Sequence, residues 1–230
     1  MSTTPRAAPG CTGLGLFVVF LVLLPFFLAN AVFTALGLLG LTPMVSVAVA
    51  LGIFLGSAVN IPVRRVAGGE EVALESVVLF GLGRVLPRLV RRRRYTVIAV
   101  NIGGAVIPTL VAVYQLVLVA EVGASALGAA ALAIAINTAV CWRVSRAVPR
   151  VGMTMNPILP PVVAAASALI LAPAHAPNVA FAAGVLGPLI GADLLHLGDV
   201  SKLETGVASI GGAGTFDGIV LSGLFATLLA

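Results

Sequence analysis

Three titratable side chains near the end of the chain offer the chemistry worth building on: Asp193, His196 and Asp217. Asp193, His196 and Asp199 read D-x-x-H-x-x-D, and residues three apart share one face of a helix. A carboxylate and an imidazole one turn apart are a natural ligand pair for a divalent transition metal, zinc first. Asp217 would supply a third ligand and leave one position open for water, the pattern of a catalytic rather than a structural zinc site. Asp199 is then a fourth ligand, an orienter of His196, or a loop acid beside Lys202 and Glu204. Two plainer readings stand beside the metal: a proton or cation site of a transporter, and a His–Asp hydrogen bond that only ties helices together.

Asp217 carries the strongest signal because of where it lies. It sits about midway along an apolar segment, 206–229, among Gly211, Gly212, Gly214 and Gly218. A charged group deep in a membrane helix costs at least about 2.5–3.5 kcal/mol, so it is rarely there without a function. Asp193 is also flanked by apolar neighbours, Gly191-Ala192 and Leu194-Leu195.

Composition explains what must position these groups. Hydrophobic residues make up 60% of the 230-residue chain and charged residues 9%, and the mean hydropathy is +1.17. These values exclude an ordinary soluble domain and indicate an all-α, polytopic transmembrane bundle. With about 20 apolar residues per crossing, seven spans are predicted, at about 13–38, 44–63, 95–119, 124–142, 157–173, 177–197 and 206–229. The net charge is +5, but the cations flank apolar runs, which speaks for orientation and against a nucleic-acid partner. With the N-terminus inside and the C-terminus outside, every Lys and Arg falls on the cytoplasmic side. Cys11 and Cys141 then lie on that reducing side, where a structural disulfide is not expected. The whole chain reads as one transmembrane domain. Its one sizeable connection, 64–94, reads as a basic, amphipathic helix on the membrane surface.

Within that topology the polar side chains collect in the cytoplasmic half. Asn60 ends the second span, Asn101 lies about two turns into the third, and Ser209 and Thr215 flank Asp217's glycines; these four are candidate substrate-orienting or supporting groups. Asn101-Ile102-Gly103-Gly104-Ala105 echoes Ser209-Ile210-Gly211-Gly212-Ala213, and both segments run from inside to outside. They are therefore either parallel repeats or two small-residue packing faces. Glu204 and Asp199 are candidate general bases.

Absent motifs narrow the chemistry further. There is no His-Glu-x-x-His and no Gly-x-Ser-x-Gly. Intramembrane aspartyl proteases carry Tyr-Asp on one helix and Gly-x-Gly-Asp on the next. Here Asp193 follows Gly-Ala and Asp217 follows Gly-Ala-Gly-Thr-Phe, so neither motif fits. A pair of aspartates sharing one proton stays open on physical grounds.

The runs 191–197 (GADLLHL) and 209–218 (SIGGAGTFDG), together with Asn60-Ile61-Pro62-Val63 and the segment 99–108, resemble a family of prokaryotic integral membrane proteins known as a domain of unknown function. The resemblance implies a multi-pass protein of the inner membrane. Its polar motifs fall on Asn60, Asn101, Asp193, His196 and Asp217.

Two functions are expected from different classes. The first is a membrane-embedded, metal-dependent hydrolase acting on a small-molecule, lipid or peptide substrate. The second is a small secondary transporter whose Asp and His groups carry a proton or cation, which broken helices would suit. Small-residue helix faces such as 123–135 lead us to expect a homo-oligomer in the bilayer.

Overall fold

A computed structural model describes residues 9–78, 85–149, 152–202, 206–212 and 217–230, and the chain is mostly helical. Seven α-helices are described: α1 (Pro9–Leu38), α2 (Pro43–Gly56), α3 (Ile107–Val122), α4 (Ala124–Val144), α5 (Leu159–Leu171), α6 (Ala176–Pro188) and α7 (Gly218–Leu229). Among the described residues, four helical stretches are long and apolar enough to cross a membrane: Phe17–Leu38, Ile102–Val122, Ala124–Val144 and Pro173–Leu194. The apolar helices α2, α5 and α7 are shorter.

Local chemistry sets several boundaries. Thr42 caps α2, its hydroxyl accepting from the Val45 N–H at 3.4 Å, and Pro43 opens the helix where a missing N–H costs nothing. The α6 helix is the hub, packing against α3, α4, α5 and α7. Its sequence is dominated by alanine and glycine, and Ala180, Ala182, Ala183 and Val185 are fully buried. Gly184, Gly187 and Gly191 repeat at spacings that align them on one helical face. A Cβ on Gly184 would come within 2.8 Å of the Ser222 carbonyl oxygen, so α7 approaches along glycine. Asn137 of α4 uses the same closeness, donating to the Ala183 carbonyl at 2.8 Å.

The connection 64–94 departs from the expected surface helix. Asn60–Val78 (β1) and Val85–Asn101 (β2) form one long antiparallel hairpin, beginning at the pair Asn60↔Asn101. The register sets Glu70 opposite Arg93, Glu71 opposite Arg92 and Glu75 opposite Arg88. Opposite charges across a strand pair favour this pairing, and Pro87 and Gly68-Gly69 disfavour a continuous helix. The register shifts between Ala67 and Glu70, where those glycines lie.

Three predicted spans change with it, and the second already ends at Gly56, with Asn60 opening strand β1. The third begins as strand: β2 runs to Asn101, a π-helical turn covers Ile102–Val106, and only then does α3 start. The seventh begins with strand β5 (Val207–Ile210), which pairs parallel with β2 from Val97↔Val207 to Val100↔Ile210. Asp217 therefore does not lie in the middle of a helix. It is the residue immediately before α7. Gly211 and Gly212, with φ of +79° and +69°, end β5 in a conformation that side chains disfavour. A second hairpin joins β3 (Arg146–Val148) to β4 (Gly152–Thr154).

The echoed segments thus lie side by side as parallel strand, glycine turn and helix. Their backbones meet closely: a Cβ on Gly104 would strike the Gly211 carbonyl, and one on Gly211 would strike the Ala105 N–H.

Candidate active site between two aspartates

The site is assembled where α6 ends, β5 ends and α7 begins. After Pro188 the α6 helix widens into a π-helical turn, Leu189–Leu194, which carries Asp193. One carboxylate oxygen of Asp193 accepts the Gly211 N–H at 2.9 Å, linking α6 to the end of β5. Asp217 caps α7: its backbone is extended, and its Oδ2 accepts the Ile219 N–H at 3.3 Å. The start of a helix favours a carboxylate there. The turn Gly211-Gly212 lies between the two acids. Gly211 donates to Asp193, and any side chain on Gly212 would run into the Asp217 carboxylate.

Both carboxylates line one cavity of about 460 Å³. His196 and Ser209 share its wall. The His196 Nδ1 lies 3.0 Å from the Gly191 carbonyl oxygen. A carbonyl only accepts, so Nδ1 carries the hydrogen and Nε2 is the ring nitrogen left for another partner.

Behind this wall is a polar knot. Asn101 is fully buried; its amide donates to the Ser57 carbonyl at 2.8 Å and to Asn60 Oδ1 at 3.1 Å, and its Oδ1 accepts the Gly104 N–H at 2.7 Å. The Ser209 hydroxyl donates to the same Asn60 oxygen at 2.6 Å. One network therefore ties the end of α2, the start of β1, the end of β2 and β5. Asn101 does not reach the cavity; it positions the strands that do.

The predicted residues sort as follows. Asp193, His196, Asp217 and Ser209 come together around the cavity, with Asn60 and Asn101 as support. Asp199 follows the π-helical turn on a short 3₁₀ segment and is not part of the cavity wall; its N–H donates to the His196 carbonyl at 2.9 Å. Glu204 and Thr215 lie outside the described residues. Among the described residues, no set of three His, Cys, Asp or Glu side chains is arranged to hold a metal ion, so the three-ligand set of Asp193, His196 and Asp217 does not form in this conformation.

The sequence reading missed the part of the lining made of Ser145 and of Met153, Thr154 and Met155 from β4 and its continuation. The alternation Met-Thr-Met beyond Pro149, a period of two, is its signal.

The sequence matches the family described as "Protein of unknown function (DUF1614)" over residues 54–229. The chain belongs to that family. The match takes in both hairpins, the glycine turn and both aspartates. No curated protein and no solved structure matches the chain.

Proposed function

We propose that this member of the family is a multi-pass protein of the prokaryotic inner membrane, with its basic loops inside, and that it is a hydrolase whose working groups are Asp193 and Asp217. The supporting observation is that two carboxylates from different elements face one cavity, each held from behind by a backbone N–H. That leaves carboxylate oxygens available for water and substrate. Placed at an amide or ester carbonyl, one carboxylate takes a proton from water as the water oxygen bonds to the carbonyl carbon. The other, protonated, gives its proton to the carbonyl oxygen. The bond to the leaving nitrogen or oxygen then breaks as that atom takes the proton from the first carboxyl, while a hydroxyl of the tetrahedral intermediate returns a proton to the second carboxylate and the pair is restored. This is general acid–base catalysis by a carboxylate pair. The apolar surface of α1 is exposed from Phe17 to Leu23, which suits contact with lipid.

A second reading adds a divalent metal, zinc first. It is favoured by His196, whose Nδ1–H is engaged by a backbone carbonyl and whose Nε2 is left as a donor atom, the usual condition of a metal-bound imidazole. Asp193 and Asp217 would have to move closer to His196 to complete the set.

The test uses purified full-length protein in lipid nanodiscs with a quenched fluorogenic, apolar peptide. Cleavage is expected from the wild type, with a loss of about 100-fold or more in Asp193→Asn and in Asp217→Asn. Wild-type protein that cleaves no amide or ester substrate, and instead moves a cation or proton across sealed vesicles in an Asp217-dependent way, would overturn the hydrolase in favour of a transporter. Elemental analysis separates the two hydrolase readings: stoichiometric zinc lost in His196→Ala supports the metal, and full turnover after chelation rules it out.

A further inference from the structure

The carboxylate pair stands next to an unpaired strand edge. The sheet runs β1-β2-β5, so β5 is its edge strand among the described residues. In a parallel pair, alternate residues turn their backbone groups toward the neighbour. The Val97 N–H donates to the Gly206 carbonyl at 3.0 Å, and Val97 stands opposite Val207. Gly206, Ala208 and Ile210 therefore face β2, while Val207 and Ser209 turn their N–H and C=O groups the other way. The Ser209 carbonyl accepts the Gly212 N–H at 3.2 Å. The Val207 N–H, the Val207 carbonyl and the Ser209 N–H have no partner among the described residues.

That edge opens into the cavity already described. All four residues of β5 line it, and so do both aspartates. The same cavity is lined by Gly152, Met153 and Thr154 of β4, and Met153 packs in one apolar cluster with Ala208 and Ile210 of β5. The cavity thus forms a slot lined by β5, the glycine turn and the two carboxylates. Lipid tails and compact small molecules offer no row of alternating donors and acceptors to such a slot. An extended polypeptide offers one every residue pair, the mode by which peptides add to sheet edges.

We propose that the substrate is a polypeptide bound in extended form as a further strand on β5, its backbone paired with Val207 and Ser209, so that the carbonyl beyond the paired stretch is presented to Asp193 and Asp217. β5 matches about 13 Å of extended chain at roughly 3.3 Å per residue. Side chains on alternate positions then point toward Met153 and Met155 of the same cavity, which suits apolar residues. This proposal rests on the hydrolase reading for its consequence, but binding can be measured without cleavage.

The experiment uses full-length Asp193→Asn/Asp217→Asn protein in lipid nanodiscs, so that nothing is cut. The probe is a neutral, end-blocked apolar peptide of ten residues with one ¹³C-labelled carbonyl, compared with the same peptide N-methylated at two alternate central residues. The parent peptide is expected to bind, with the labelled amide I band moving to the β-sheet frequency. N-methylation is expected to weaken binding about tenfold or more, as the loss of two backbone hydrogen bonds requires. Val207→Pro, which removes an N–H pointing away from β2, is expected to weaken binding of the parent peptide similarly. Equal binding of the two peptides, no band shift, or no peptide binding because the chain's own residues fill the edge would overturn the proposal. If the parent peptide binds as described but wild-type protein leaves it and all other amide and ester substrates intact, the edge stands and the hydrolase falls. If wild-type protein cleaves both peptides alike, the hydrolase stands and the edge falls.

Discussion

Replacing Asn101 by alanine tests whether the knot behind the site holds the strands in place. Asn101 is fully buried and makes three hydrogen bonds. Alanine leaves the Gly104 N–H and the Ser57 carbonyl without that partner, whereas Asn60 Oδ1 keeps the Ser209 hydroxyl. Each orphaned buried group costs about 1–3 kcal/mol, so Asn101→Ala should destabilise the protein by about 2–6 kcal/mol. Asn101→Asp should be no better. One oxygen still accepts from Gly104, but the other is pushed against the carbonyl of Ser57 and the oxygen of Asn60. Asn60→Ala should cost only about 0.5–1.5 kcal/mol, because Asn60 is exposed and the Asn101 amide keeps the Ser57 carbonyl. Unfolding midpoints of purified protein in detergent, followed by circular dichroism against denaturant, give the order. An Asn101→Ala variant within about 0.5 kcal/mol of wild type, or one more stable than Asn60→Ala, would refute the knot.

Other expectations follow from single positions. Gly211→Ala combines a φ of +79° with a collision at the Ala105 backbone, and it should destabilise by about 2 kcal/mol or more in the same assay. Asp217→Ala should lose about 1 kcal/mol as a helix cap while Asp217→Asn stays near wild type, since asparagine caps as well; equal losses would contradict a capping position. Cysteines at Val72 and Arg91, opposite each other in the hairpin register, should form an intramolecular disulfide under mild oxidation, whereas cysteines at Val72 and Tyr95 should not. Failure of the first pair to cross-link would favour the surface helix, in which Val72 and Arg91 stand about 28 Å apart.

The grouping of the polar residues was more legible in the sequence than the elements that carry them. A carboxylate among glycines in an apolar segment stands out whatever its backbone does, and Asp193, His196, Asp217 and Ser209 do share one cavity. The backbone was misread because a hydropathy window counts apolar residues without their period. Tyr95 to Asn101 and Val207 to Ile210 are apolar enough to extend a span, yet they are β-branched and end at glycines, which is how strands read. The hairpin had a signal too. Glu70, Glu71 and Glu75 mirror Arg93, Arg92 and Arg88 about a common centre, the pattern of two strands folding back on each other. Asn101 reads as substrate-facing only along a continuous helix, and the helix starts after it. The lining at Met153 to Met155 rests on a period-two alternation only three residues long.

The most direct measurement is a double-variant cycle on turnover. Two carboxylates that act as one unit are non-additive, because losing either removes the shared step. Cleavage rates of wild type, Asp193→Asn, Asp217→Asn and the double variant are compared in nanodiscs on one peptide substrate. The expected result is that each single variant loses about 100-fold or more and that the double variant is hardly slower than either. Full turnover in either single variant, or losses that multiply in the double variant, would contradict a paired site.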